Sequence, residues 1–163
     1  MTMHSIPGNE IIDRYGLDRF KDASTLGALT SQALRYLLQK GKILQLKEGE
    51  LLFSYGDRVD CFYVILDGLI SFYKPCETGR CHIRNYSFGT TIGFVAMVGL
   101  HNRSGDAVAA EPSCLLKVSA ALFSEMQQDF PADFGVLQMN LSREMARRLR
   151  ESDSKLAAHD IHE

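Results

Sequence analysis

No stretch of this sequence approaches the roughly 20 consecutive apolar residues that would span a bilayer, and its N-terminus has no basic segment leading into an apolar run of the secretory kind. These absences point away from membranes and export, toward a soluble, cytoplasmic protein. Excess charge of either sign is also missing. Lys and Arg number 18 against 20 Asp and Glu, a net charge of −2, and outside the helical stretch from Arg143 to Arg150 there is no dense basic block. A field that would recruit nucleic acid is therefore absent. Cysteine is scarce: the four at 61, 76, 81 and 114 are too scattered for a disulfide framework in 163 residues, as in a reducing compartment. Cys61 and Cys114 read as small core residues. Cys76 and Cys81 flank a turn, Pro75-Cys76-Glu77-Thr78-Gly79-Arg80-Cys81, where they could pair or hold a metal. His82 alone does not complete the four ligands of a structural zinc site, so two cysteines flanking a hairpin, and no metal, are expected.

Motifs of catalysis are missing as well. No Ser/His/Asp or Cys/His set, no glycine-rich phosphate loop of the P-loop type and no defensible carboxylate pair can be placed on the sequence, so a binding module is expected rather than an enzyme. There is no internal repeat.

What is present is a sequence of short β signals between helical ones. Residues 1–28 carry only the apolar patch Ile11, Ile12, Leu17 and Phe20 and read as a loosely attached N-terminal extension. Leu34, Leu37 and Leu38 then recur at helical spacing, with Thr30 or Ser31 as N-cap and Gly41 as stop. Short apolar or alternating runs follow at Ile43-Leu46, Leu51-Phe53, Phe62-Leu66, Leu69-Tyr73, His82-Tyr86, Ala107-Ala110 and Cys114-Val118, separated by Gly- and Asp-rich turns. Strands this short and regular predict a small barrel or sandwich over 29–130 with flanking short helices. Ser119 is placed to cap a brief helix ended by Asp129-Phe130-Pro131. Residues 131–163 read as one long amphipathic helix and a tail, with Phe134, Leu137, Leu141, Met145, Leu149 and Leu156 on one stripe. That stripe exceeds what a small barrel needs for cover, so a homodimer through the C-terminal helix is expected, with folding back on the barrel as the alternative.

Within the β region, Glu48-Gly49-Glu50-Leu51-Leu52-Phe53 followed by Gly56-Asp57, Asp60, Phe62-Tyr63-Val64-Ile65 and Gly68 resembles the barrel signature of the cyclic-nucleotide-binding domain superfamily, including the sensor domain of the catabolite activator family. The resemblance runs from about Leu29 to Leu156. It implies a mainly β double-stranded β-helix (jelly-roll) barrel with flanking helices and a long C-terminal helix. It also implies a phosphate-binding cassette, in which backbone amides and an arginine hold a cyclic phosphate and a glutamate accepts the ribose hydroxyl.

Carried onto this chain, the cassette spans Ile92-Gly93-Phe94-Val95-Ala96-Met97 through Arg103-Ser104 to Ala109. Gly93 matches the family glycine, and Arg103 and Ser104 match the phosphate-binding pair. Phe94 stands where the ribose-binding glutamate is expected; its ring cannot accept a hydroxyl proton and brings bulk. Asp106 follows closely, a carboxylate that would oppose a phosphate unless it points outward or pairs with Arg103. In the long helix, Met145-Ala146-Arg147-Arg148-Leu149 resembles the start of the family's dimerisation helix. It implies that Arg148 faces the pocket and puts Ser152 and Asp153 where the family's residues touch the nucleobase from the dimer interface.

The implied function is a stand-alone sensor of cAMP or cGMP that signals through its C-terminal helix to an unidentified protein partner, with no cofactor required. Two alternatives stay open: a dimeric interaction module in which Phe94 fills the sugar site, and a sensor in which Phe94 stacks on a different small ligand. The family's regulators carry a DNA-binding domain beyond this helix. Only His159-Asp160-Ile161-His162-Glu163 follow Leu156 and its two alanines here, so DNA binding is not expected.

Overall fold

The computed structural model describes residues 3–160. Along them run β1 (His4–Ile6), α1 (Gly8–Tyr15), α2 (Leu17–Lys21), α3 (Ser31–Lys40), β2 (Lys42–Leu46), β3 (Leu51–Phe53), β4 (Cys61–Asp67), β5 (Ile70–Cys76), β6 (Gly79–Tyr86), β7 (Thr91–Ile92), α4 (Phe94–Val98), β8 (Asp106–Ala109), β9 (Ser113–Ser119), α5 (Ala120–Asp129) and α6 (Pro131–Asp160). The strands form two antiparallel sheets ordered β1-β2-β9-β4-β7 and β3-β8-β5-β6, the mainly β jelly roll with flanking helices that the sequence predicts. No ladder joins the two sheets among the described residues, and they pack face to face as the two layers of the jelly roll.

Strand β4 shows why. Every residue from Cys61 to Leu66 is buried, because alternate side chains feed two different cores. Cys61, Tyr63 and Ile65 point between the sheets, toward Leu44, Leu46, Phe53, Ile70 and Leu115. Phe62, Val64 and Leu66 point outward, toward Leu34, Leu37, Leu122, Leu137 and Leu141 of the helices. The five-stranded sheet is thus covered on both faces.

That outer face corrects the reading of residues 1–28 as loosely attached. Ile11, Phe20 and Leu26 are fully buried in the outer core, and β1 extends the sheet by pairing Ile6 with Ile43 of β2. The apolar patch is visible in the sequence; the two-sided sheet that needs it is not. The two short strands β1 and β7 also went unpredicted, since two or three residues carry no period. The caps are as expected: Thr30 accepts from the Ala33 amide and Ser119 from the Leu122 amide.

Helix α6 divides the expected stripe. Leu137 and Leu141 are buried, Phe134 and Met145 are half-buried against the outer core, and Leu149 and Leu156 are about two-thirds exposed. Buried polar groups pin the packed half. Asp133 accepts from the amide (2.6 Å) and hydroxyl (3.0 Å) of Thr30, while Asn140 donates to the carbonyls of Thr25 and Gly27. No described helix is long and apolar enough to cross a membrane. The β5–β6 hairpin forms as expected, but its two cysteines are joined as a Cys76–Cys81 disulfide, since the turn brings their Cα atoms to 6.0 Å.

If residues 1–28 belong to the core, Phe20→Ala should lower the unfolding free energy by about 3–5 kcal/mol, read from denaturant midpoints. An unchanged midpoint would mean a dispensable extension.

Candidate ligand site

The expected cassette lies between the sheets' edge and α6. Strand β7 ends at Ile92, and Gly93, at φ 88°, turns the chain into α4. A side chain at 93 would be strained by that backbone and would run into the Arg103 guanidinium, so glycine is required twice over. A cavity of about 90 Å³ opens here, lined by Gly93, Val95, Ala96, Arg103, Ser104 and Arg148 together with Phe53, Phe72, Tyr86, Ile92 and His101. Six of the eight predicted site residues therefore converge.

Arg103 is 3 % exposed. Its Nη1 donates to the Gly93 carbonyl (3.0 Å) and Nη2 to the Cys61 carbonyl (2.8 Å), while its guanidinium stacks on Phe53 at 4.3 Å. No carboxylate lies within ion-pairing reach of it among the described residues. Asp106 is turned elsewhere: it accepts from the Tyr55 amide at 2.7 Å and lies 3.7 Å from Arg80. The Cys61 sulfur beside Arg103 supplies no negative charge either, since burial pushes its thiol pKa up. Burial does the same to the phenol of Tyr86. The result is a nearly dry guanidinium held by carbonyl dipoles, with no counter-ion.

Phe94 does not stand in the cavity, which corrects the expectation placed on it. The ring is 2 % exposed and packs edge-on against Phe62 (5.2 Å) and Phe123 (6.0 Å) in the outer core. Successive residues of a helical turn diverge by about 100°, so with Val95, half exposed, and Ala96 both lining the cavity, Phe94 faces away from it. Phe123 in turn meets Phe134 at 4.9 Å, and a line of aromatic rings connects the cassette helix to α6.

Arg148 reaches the cavity from α6. It donates to the Thr91 carbonyl, pairs with Glu144 and stacks on Tyr86 at 4.7 Å. Glu144, 3 % exposed, also accepts from the Thr91 amide (2.8 Å), the Thr91 hydroxyl (3.1 Å) and the Thr25 hydroxyl (3.0 Å). Sequence reasoning passed over Glu144; the one available signal was its i, i+4 spacing to Arg148, which describes solvated pairs equally well. Ser152 is not brought to the cavity. It is half-buried beside β6, where Arg84 approaches its hydroxyl at 3.4 Å, and Asp153 is exposed.

A family model for the cyclic nucleotide-binding domain matches residues 43–130, more than half of the chain. The chain belongs to that family. A cyclic nucleotide-binding domain from Methylobacillus flagellatus superposes with a TM-score of 0.84 at 20 % identity, over 96 % of this chain and 89 % of that one. The catabolite activator protein of Thermus thermophilus superposes at 0.72 and 22 % identity, over 84 % of this chain and 63 % of that one, in line with the resemblance read from the sequence. A lysophospholipase from Chaetomium globosum is 25 % identical over 86 % of this chain but only 9 % of its own length. The nitrogen fixation regulation protein FixK of Bradyrhizobium diazoefficiens is 25 % identical over 85 % of this chain and 61 % of its own. This domain thus spans under a tenth of the lysophospholipase and less than two-thirds of the regulator.

Two substitutions test this geometry by chemical denaturation. Glu144→Ala strands the Thr91 amide and Arg148 and should cost about 3–5 kcal/mol, with Glu144→Gln costing less. Phe94→Glu should lose at least about 3 kcal/mol, because it buries a carboxylate among Phe62 and Phe123; near-neutral behaviour would place residue 94 at the cavity after all.

Proposed function

We propose that this cyclic nucleotide-binding domain is a regulatory sensor for an anionic nucleotide, cAMP or cGMP, held at Gly93, Arg103 and Ser104 and signalling through α6. The observation that carries this reading is the charge of Arg103: buried in the cavity wall and, among the described residues, bonded only to neutral groups and facing no carboxylate. Such a cation favours an incoming phosphate, and the αL turn at Gly93 leads into backbone whose amides support one.

The cavity also supports coupling to α6. At about 90 Å³ it is well below the roughly 300 Å³ at which ligand pockets begin, so a nucleotide must displace what closes it. Val95 stands at the mouth on α4 and Arg148 across the floor from α6. Moving either strains the Phe94–Phe123–Phe134 contacts or the Glu144–Arg148–Thr91 bonds, and both sets end on α6. The exposed Met139, Leu149 and Leu156 support α6 as the surface read by a second copy or another protein. The domain acts by binding; the activity of a lysophospholipase of which it matches 9 % does not carry over.

The smallness of the same cavity favours a second reading, an interaction module whose pocket takes no nucleotide. Thermal unfolding with and without millimolar cAMP and cGMP separates them. A ligand at ~100 times its Kd stabilises the folded state by roughly 2.7 kcal/mol; we expect such a rise, absent in Arg103→Gln when each protein is compared with itself. No rise with either nucleotide would replace the sensor with the interaction module.

A further inference from the structure

The cysteines of the β5–β6 hairpin are not used by the ligand site, and the hairpin does not need their bond to form. Cys76 already pairs with Gly79 and Lys74 with Cys81 in the β ladder, so the bridge joins residues that backbone hydrogen bonds hold together. It closes a separation of only five residues, at a tip that enters neither hydrophobic core. A short-loop bond at the surface, across strands already laddered, is open to exchange with solvent thiols and disulfides.

The surroundings suit thiol exchange. Both cysteines are half-exposed, between exposed Lys74, Glu77, Thr78 and Arg80. Lys74 is the ladder partner of Cys81, and a cation on the same face of the ladder favours the thiolate. The Thr78 hydroxyl lies 3.4 Å from the Cys76 sulfur and 3.9 Å from that of Cys81, in reach of a thiolate on either. The remaining cysteines contrast with these. Cys61 and Cys114 are buried, and burial pushes the Cys114 thiol up to about 11.

The hairpin also touches the cassette. Arg80, next to Cys81, stacks on Tyr73 at 4.2 Å and lies 3.7 Å from Asp106, the first residue of β8 after Arg103-Ser104-Gly105. Tyr73 pairs with Asp106 in the ladder, and Asp106 holds the Tyr55 amide.

We propose that Cys76 and Cys81 form a reversible thiol–disulfide site that exchanges with low-molecular-weight disulfides, and that its closure stiffens the hairpin where it meets the end of the cassette. In the forward direction a cysteine thiolate attacks one sulfur of the small disulfide and expels its partner as a thiolate. The second cysteine then attacks the mixed disulfide and expels the other half. Two electrons pass from the cysteine pair to the small disulfide, and the two cysteine protons end on the two released thiols. The site is independent of whether a nucleotide binds.

The test is to equilibrate the folded full chain in glutathione buffers of varied ratio, quench with acid, alkylate and count labels by mass, then compare amide hydrogen exchange of both forms. Cys76 and Cys81 should lose their labels together as oxidised glutathione rises, independently of protein concentration, while Cys61 and Cys114 stay reduced. Exchange over 76–81 and 103–107 should be severalfold slower in the oxidised protein, and Cys76→Ser with Cys81→Ser should show the reduced pattern in every buffer. A bond that survives excess reduced glutathione in the folded protein, or cysteines that stop as separate glutathione adducts, would overturn the exchange site. Equal exchange over 103–107 in both forms would overturn the link to the cassette.

Discussion

Glu144 sits where helix α6 crosses strand β7, almost wholly removed from water, and the packing of three separate parts of the chain converges on it. Its two oxygens take the amide and hydroxyl of Thr91, the hydroxyl of Thr25 and the guanidinium of Arg148. A carboxylate so buried is tolerable only when its acceptor sites are filled, so the positions of α6, of the loop before α3 and of the cassette strand depend on one another. Asn140 and Asp133, about one and three turns nearer the start of the same helix, repeat the device with Thr25, Gly27 and Thr30. Hydrophobic burial supplies the bulk of the stability, but it is indifferent to small slides of a helix along a sheet. These polar contacts are directional and set where α6 lies.

The cassette is built on the same junction. Thr91, held by Glu144, is the residue before Ile92 and Gly93, and Arg148, held by Glu144, forms part of the cavity wall. On the opposite side of α4, Phe94 passes contacts through Phe123 to Phe134. The ligand site and the long helix therefore share residues rather than communicating across a gap, and a change in one is a change in the packing of the other. In a domain of this family, that arrangement is the physical basis for reading it as a sensor.

Arg103 poses the complementary problem. Glu144 is a buried carboxylate with its donors assembled; Arg103 is a buried cation with carbonyls and an aromatic face but no anion among the described residues. Two buried charges of opposite sign thus lie near one small cavity, one with its partners assembled and the other without a counter-charge among the described residues, which supports the proposed preference for a phosphate.

Much of this was legible in the sequence. The alternation and turn spacing of residues 43–118 determined a small barrel or sandwich, Thr30 and Ser119 determined two helix starts, and the family resemblance picked out Gly93, Arg103 and Arg148, which line one cavity. Local backbone preference and period are properties of neighbouring residues, and they survive in one dimension. What only the tertiary structure decided are the directions in which side chains point when two environments lie within one residue of each other. Phe94 and Val95 differ by one position, yet one enters the aromatic core and the other the ligand cavity. Ile11 and Phe20 looked like part of a stray apolar patch until the outer face of β4 required cover. Glu144 offered only its i, i+4 spacing to Arg148, and its role appeared where the helix crosses Thr91. In each case the deciding partner lies more than 25 residues away in the chain, and nothing in the local sequence records it.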